Sequence, residues 1–217
     1  SEMVRLHCET LAERALIPAF VFFFQMLYPF AWVAQPDNRT AAAAGGTMLV
    51  RRAVLDRIDG VSRIRNRLID DCALAGEIKR NGGRIWLGHA EQAVSARVYG
   101  DWREIGNMVA RTAYEQLGYS PWLLLGCVAG LILTYLAPPV LTLGAHGPAR
   151  WIAALAWLLM TCAFQPTLRR YKRSPMWGIA LPAIAAFYLG ATLASAARHW
   201  MGRGGGWKKR VYPETTA

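Results

Sequence analysis

Two adjacent carboxylates, Asp70 and Asp71, open the stretch with the most specific chemistry in the chain: Asp70-Asp71-Cys72-Ala73-Leu74-Ala75-Gly76-Glu77-Ile78-Lys79-Arg80, closed by Asn81-Gly82-Gly83. A carboxylate so placed can take a proton from a hydroxyl. Its neighbour's like charge raises the proton affinity, so the titration belongs to the pair. The apolar spacing of Ala73, Leu74 and Ile78, the basic residues that follow and the closing glycines predict a helix that begins at the acids. An acidic N-cap is the commonest use of Asp at such a point and explains the pair without any chemistry.

Other candidates flank this helix. Ala41-Ala42-Ala43-Ala44-Gly45-Gly46-Thr47 is a run of small residues that lets backbone approach a ligand or a neighbouring segment, and tight packing explains it equally well. Arg63, Arg65 and Arg67 bring positive charge close to the acids, as a solvated loop or as part of a phosphate site. Cys8, Cys72, Cys127 and Cys162 lie far apart, as do His7, His89, His146 and His199. Free thiols and no structural zinc are expected.

The elements that must position these residues can be read in order. Residues 2–15 suit a surface helix with one buried face. Residues 16–34 are uncharged and rich in Phe, but Pro18, Gln25 and Pro29 favour a broken, interfacial element over a full span. Strands are expected at 48–50, 84–87 and 93–98, and a short helix at 52–58. Trp102, Ile105, Met108, Val109, Ala113 and Leu117 then define an amphipathic, interfacial helix over 101–117, with Arg111 and Tyr114 on it.

At 217 residues, 54% of them hydrophobic, the composition is high for a soluble protein, and the excess is not even. Residues 121–197 contain no Asp or Glu. Three apolar stretches there, 121–143, 149–168 and 175–197, read as transmembrane helices; the first would be about 34 Å long, enough for a hydrocarbon core of about 30 Å. The net charge of +11 resides largely beside these stretches, in Arg169-Arg170-Tyr171-Lys172-Arg173 and in the basic tail 198–217. Such placement indicates a membrane surface and argues against nucleic acid as the partner. From a cytosolic start, the loop 167–174 obeys the positive-inside rule. Three crossings put the tail outside, so either one stretch is re-entrant or the tail breaks the rule.

Three motifs carry a resemblance over nearly the whole chain. Ala44-Gly45-Gly46-Thr47-Met48-Leu49-Val50-Arg51-Arg52 is similar to an acceptor loop, Asp70-Asp71-x-x-Leu74-Ala75 to an acidic motif, and Ala110-Arg111-Thr112-Ala113-Tyr114 in part to an Arg-and-aromatic motif about forty residues on. Together they resemble the carboxy-terminal half of a membrane-bound family 2 glycosyltransferase of GT-A fold, and most of all its hopene-associated type. The resemblance implies an α/β catalytic part over 1–120 followed by a membrane helical bundle over 121–197. It also implies an inverting enzyme that moves a sugar from a nucleotide-sugar donor to a lipid acceptor at the cytosolic face of the cell inner membrane. Asp71 would be the general base and Asp70 would orient it. Gly45, Gly46 and Thr47 would shape the acceptor side, and Arg111 with Tyr114 would meet the departing diphosphate. A divalent metal, Mg or Mn, would be held by a D-x-D motif in a preceding nucleotide-binding half, so this chain alone is expected to be inactive.

Two other classes fit some of the same features. A non-catalytic integral-membrane subunit would use the spans and basic loops with Asp70-Asp71 as a cap only. A lipid-interaction or transport module would need ionisable residues inside the spans, and 121–143, 151–164 and 175–197 offer none.

Overall fold

The computed structural model describes residues 1–203, 206–207 and 210–211. The remainder of the basic tail, including Lys208 and Lys209, lies outside the described residues. The fold is mostly helical, with a small two-stranded parallel sheet and three helices long and apolar enough to span a membrane. It divides into two compact units.

The first unit holds Ser1–His7 and Phe23–Val98. Strand β1, Glu2–Arg5, pairs in parallel with β2, Gly88–Val94, matching Glu2 to Gly88 and Met3 to His89. Residues 2–5 are therefore strand rather than the start of a surface helix. Residues 84–87 form no strand, and the strand expected at 93–98 lies earlier, at 88–94, sharing only 93–94 with that range. Trp86 turns its ring over Gly88, where a Cβ would have no room, so the chain bends before pairing begins. Residues 48–50 form no strand. Between the strands run α2, Phe30–Ala34, α3, Arg52–Arg57, and α4, Asp70–Arg80.

Helix α4 is fixed at both ends by local chemistry. At its C-terminus Gly83 N–H bonds the Ile78 carbonyl at 2.9 Å and Gly82, at φ +73°, bonds that of Lys79 at 3.1 Å, the paired closure that needs a left-handed residue. At its N-terminus the cap position is Ile69, and the acids, in the first turn, accept two of that turn's free N–H groups, Asp70 Oδ1 from Asp71 and Asp71 Oδ1 from Cys72. The acid pair therefore serves the helix end, while Asp71 Oδ2 reaches beyond it to Gly45 N–H. The apolar face, Leu74 and Ile78, packs on Ile58 and Ile64, while Val33, Ala42 and Leu87 form a second small core with Phe24, Phe30 and Cys72 at its margin.

The second unit holds Cys8–Phe22 and Tyr99–Val211. Helix α1, Leu11–Leu27, begins with a reciprocal cap: Glu13 N–H bonds Thr10 Oγ1 at 3.2 Å, and Thr10 N–H bonds Glu13 Oε2 at 3.0 Å. Glu13 is fully buried, where a surface helix would expose it. It also accepts from Glu9 N–H at 2.9 Å and Tyr99 N–H at 2.7 Å, which is how an ionisable group can be held inside. The uncharged run 16–34 is broken, since α1 ends at Leu27 and Pro29 separates it from α2.

Helix α5, Trp102–Gln116, is capped by Asp101 and buries Ile105, Val109 and Tyr114. The first apolar helix, Pro121–Gly144, comprises α6, Pro121–Leu131, a π-helical turn at Ile132–Leu136, and α7, Ala137–Gly144. Pro138 and Pro139 lack the N–H donors that would close an ordinary turn there, and the wider turn just before them accommodates the rings. Helix α8, Pro148–Arg170, is the second, and α9, Leu181–Trp200, the third. The expected third stretch starts later than 175: Ser174 caps a short 3-10 turn at Pro175–Gly178 before α9 begins. Strands β3, Gly206–Trp207, and β4, Arg210–Val211, pair antiparallel.

Candidate active site

The acid pair divides into one exposed and one held carboxylate. Asp70 is exposed and accepts Asp71 N–H at 3.0 Å. Asp71 is half-buried and uses its two oxygens separately: Oδ1 accepts from Cys72 N–H at 2.7 Å and Oδ2 from Gly45 N–H at 2.8 Å. Burial raises its proton affinity above the ordinary carboxylate value. The two N–H donors oppose that shift, and the Asp70 charge adds to it. The result is a fixed carboxylate with enhanced basicity at the mouth of the helix.

The small-residue loop is what fixes it. A Cβ at Gly45 would stand 3.1 Å from Asp71 Oδ2, so a side chain there would crowd the carboxylate. Gly46 passes Val4, and the Thr47 carbonyl accepts Glu2 N–H at 3.0 Å, tying the loop to β1. Gly45, Gly46 and Thr47 are all exposed, and Gly45 contacts the acid.

Two further residues support this arrangement and escaped the sequence. Lys79, at the far end of α4, donates to the carbonyls of Thr40 at 2.7 Å, Val33 at 3.0 Å and Trp32 at 3.4 Å. Its ammonium thus closes the last turn of α2 and holds the segment that leads into the loop. Helix α4 is fastened to one stretch of chain twice, through Asp71 and through Lys79. Cys72 contacts the Ala43 carbonyl at 3.7 Å, and burial pushes its thiol up to about 12, which makes it a packing group and not a nucleophile. A basic residue in a last helical turn reads from sequence as dipole compensation, so nothing signalled where Lys79 would reach.

Arg63, in the basic loop, pairs with Glu77 at 3.5 Å and Asp59 at 3.7 Å, which fits the solvated description. In the second unit Arg111 is half-buried on α5. Tyr114 is 1% exposed, with its ring edge-on to Tyr119, His199 and Trp200 at 5.3–5.8 Å, so it is a core side chain of that unit.

The model of the glycosyl transferase family 21 matches residues 14–207, which include the loop, the acid helix and all three apolar helices. The chain belongs to that glycosyltransferase family. This sets the class of chemistry as glycosyl transfer, with a sugar donor and an acceptor, and it replaces family 2 as the family shown. A search of curated proteins and a search of solved structures each find no match.

Glycosyltransferases of the kind resembled use a divalent metal. Among the described residues no three His, Cys, Asp or Glu side chains converge closely enough to hold an ion. The described residues therefore do not fit a metal site, and no step is assigned to one. All four cysteines are free thiols.

Proposed function

We propose that this family 21 chain is the carboxy-terminal part of a membrane-bound, inverting GT-A glycosyltransferase that transfers a sugar from a nucleotide-sugar donor to the hydroxyl of a lipid acceptor. The observation that carries the reading is Asp71, a carboxylate of raised proton affinity held by Gly45 and Cys72 beside an exposed loop of small residues. Direct displacement needs a base at the acceptor hydroxyl and charge neutralisation at the departing group. Asp71 takes the hydroxyl proton as the acceptor oxygen bonds to the anomeric carbon. The bond from that carbon to the diphosphate breaks, and the electron pair leaves with the nucleoside diphosphate.

Asp70 supports the base through its like charge and through the Asp71 N–H it accepts. Gly45, Gly46 and Thr47 line the acceptor side. Arg111 neutralises the diphosphate, and Tyr114, buried as it is, serves by packing α5 rather than by touching the ligand. The three apolar helices support a reaction at a membrane, and a charged, cytosolic donor favours the cytosolic face of the inner membrane as its setting. The motifs' likeness to the hopene-associated type makes a hopanoid-related lipid the first acceptor to try.

The test is to supply the full-length protein in membranes with radiolabelled nucleotide sugars and lipid extracts. Label should pass into the organic phase, with the anomeric configuration inverted relative to the donor. Retention of configuration would contradict the mechanism, and label recovered only in water-soluble products would contradict the lipid acceptor.

A further inference from the structure

The three apolar helices are not equivalent in their surroundings. In the most apolar window of each, 17% of the first helix and 28% of α8 are buried by protein, against 44% of α9. The open positions of α9, Ala183, Ala186, Gly190, Leu193 and Trp200, fall on one stripe, and its remaining positions are buried or half-buried. A helix surrounded by lipid would not be enclosed in this way.

The path into α9 shows why. After Arg170 the chain turns and folds back along α8. Gln165 Nε2 donates to the Pro175 carbonyl at 3.2 Å, Thr161 Oγ1 to that of Gly178 at 3.1 Å, and Trp157 Nε1 to that of Ile179 at 3.3 Å. As the chain advances from 175 to 179 its partner on α8 retreats from 165 to 157. Three carbonyls in the 3-10 turn and the break before α9 are thereby satisfied by side chains of the neighbouring helix, the condition under which irregular backbone is tolerated at membrane depth. Gly178 makes the contact possible: a Cβ there would lie 2.7 Å from Thr161 Cγ2 and from Gln165 Nε2.

Helix α9 then returns toward the level where the first apolar helix begins. Ala196 packs against Leu124 in the first turn of α6, and His199 stacks on Tyr119, just before that turn, at 4.4 Å. Along the way it runs parallel to α5. The ring of Phe187 would meet a Cβ at Gly106 at 3.2 Å, and eight residues on along both helices Tyr114 N–H bonds Ser195 Oγ at 3.0 Å. Helix α5 carries Arg103, Glu104, Arg111 and Glu115. Were α9 a full span, those four charges would be drawn into the hydrocarbon beside it, a placement that membranes penalise strongly.

We propose that residues 174–203 are a re-entrant element, dipping along α8 and returning as α9 with one apolar stripe toward lipid, so that the chain crosses the bilayer twice and Ser174 and Arg203 face the same aqueous side. This resolves the charge asymmetry. Arg198 and Arg203, and by sequence Lys208, Lys209 and Arg210, join the basic loop 167–174 on one side, and the loop containing His146 lies on the other. Arg198 already reaches Asn107 on α5 at 2.7 Å.

The test is cysteine accessibility in sealed membrane vesicles, with single substitutions His146→Cys, Ser174→Cys and Arg203→Cys and the parent chain as the background. An impermeant maleimide should label 174 and 203 from one face and 146 from the other. Labelling of 203 together with 146 would overturn the proposal. Nitroxides at Ala183, Ala186, Leu193 and Ala197 give an independent reading of depth. Oxygen accessibility should be greatest at 183 and fall steadily toward 197, whereas a maximum in the middle of the helix would mean a full crossing.

Discussion

Gly45 donates its backbone N–H to Asp71 Oδ2 at 2.8 Å, and a Cβ at the same glycine would stand 3.1 Å from that oxygen. The contact joins a loop that shapes one side of the site to the carboxylate proposed to do the chemistry. It also makes the basicity of Asp71 depend on a residue that has no side chain.

Gly45→Ala therefore tests the loop through the acid. Burial raises the proton affinity of Asp71, and the Gly45 N–H opposes the rise. Displacing that donor removes the opposition, so the acid limb of kcat/KM should move to higher pH, with activity near the plateau falling less than activity below it. An unchanged limb with a uniform loss would mean that Gly45 does not act through Asp71.

Lys79 should matter although it stands at the other end of α4. Lys79→Met removes the donor that holds the carbonyls of Trp32, Val33 and Thr40, and the two partly buried acceptors, those of Val33 and Thr40, lose a charged partner. A rise in acceptor KM of about 10-fold, roughly the 1.4 kcal/mol of one such bond, is expected with kcat little changed. Lys79→Arg should recover part of it. Equal loss in both variants, confined to kcat, would contradict a positioning role.

Glu13 tests the frame of the second unit. Glu13→Ala strands the N–H groups of Glu9, Thr10 and Tyr99 and should destabilise the fold by about 3 kcal/mol or more. Thermal unfolding in detergent reads this directly. Thr10→Ala, which removes only the hydroxyl of the cap, should cost about 1 kcal/mol.

What the sequence disclosed and what it withheld follow from the range of the interactions. The α4 helix, its glycine closure and the three apolar helices depend on local spacing, and their approximate positions were legible from residues alone. The start of α1 was legible too in Thr10-x-x-Glu13, yet the charge pattern of 2–15 concealed it, because a buried Glu looks like a surface one until its donors are known. β1 and β2 pair across more than eighty residues, so neither could be placed by alternation within a few positions. Lys79 acts on carbonyls thirty-nine to forty-seven residues away, and Tyr114 is buried by residues five to eighty-six positions further on. Asp71 was found by its motif, but its bond to Gly45, twenty-six residues away, joins parts of the chain that no local pattern relates.

Arg111 is the proposed partner of the diphosphate. Arg111→Ala should lower kcat by about 10²-fold, the scale of one lost transition-state donor, and Arg111→Lys should restore only part, since a point charge does not reproduce bidentate contacts to phosphate. Steady-state rates at saturating donor make the comparison. Full recovery by Lys would rule out the bidentate geometry.

The central claim is that Asp71 accepts the hydroxyl proton, and Asp71→Asn tests it most directly. The amide oxygen can still receive one backbone N–H, so the site keeps its shape without its base. Stability should change little, because the amide loses one of the two N–H bonds while it relieves the buried charge. In the parent the folded state binds the Asp71 proton more tightly than the unfolded chain, so stability falls as pH rises from the ordinary carboxylate range through the raised folded value, and the Asn variant escapes that loss. The measurement is single-turnover transfer by the full-length enzyme at neutral pH, paired with thermal unfolding of the same preparation. The account predicts a fall of about 10²- to 10⁴-fold in rate with an unchanged or higher unfolding temperature; transfer within a few-fold of the parent would contradict it.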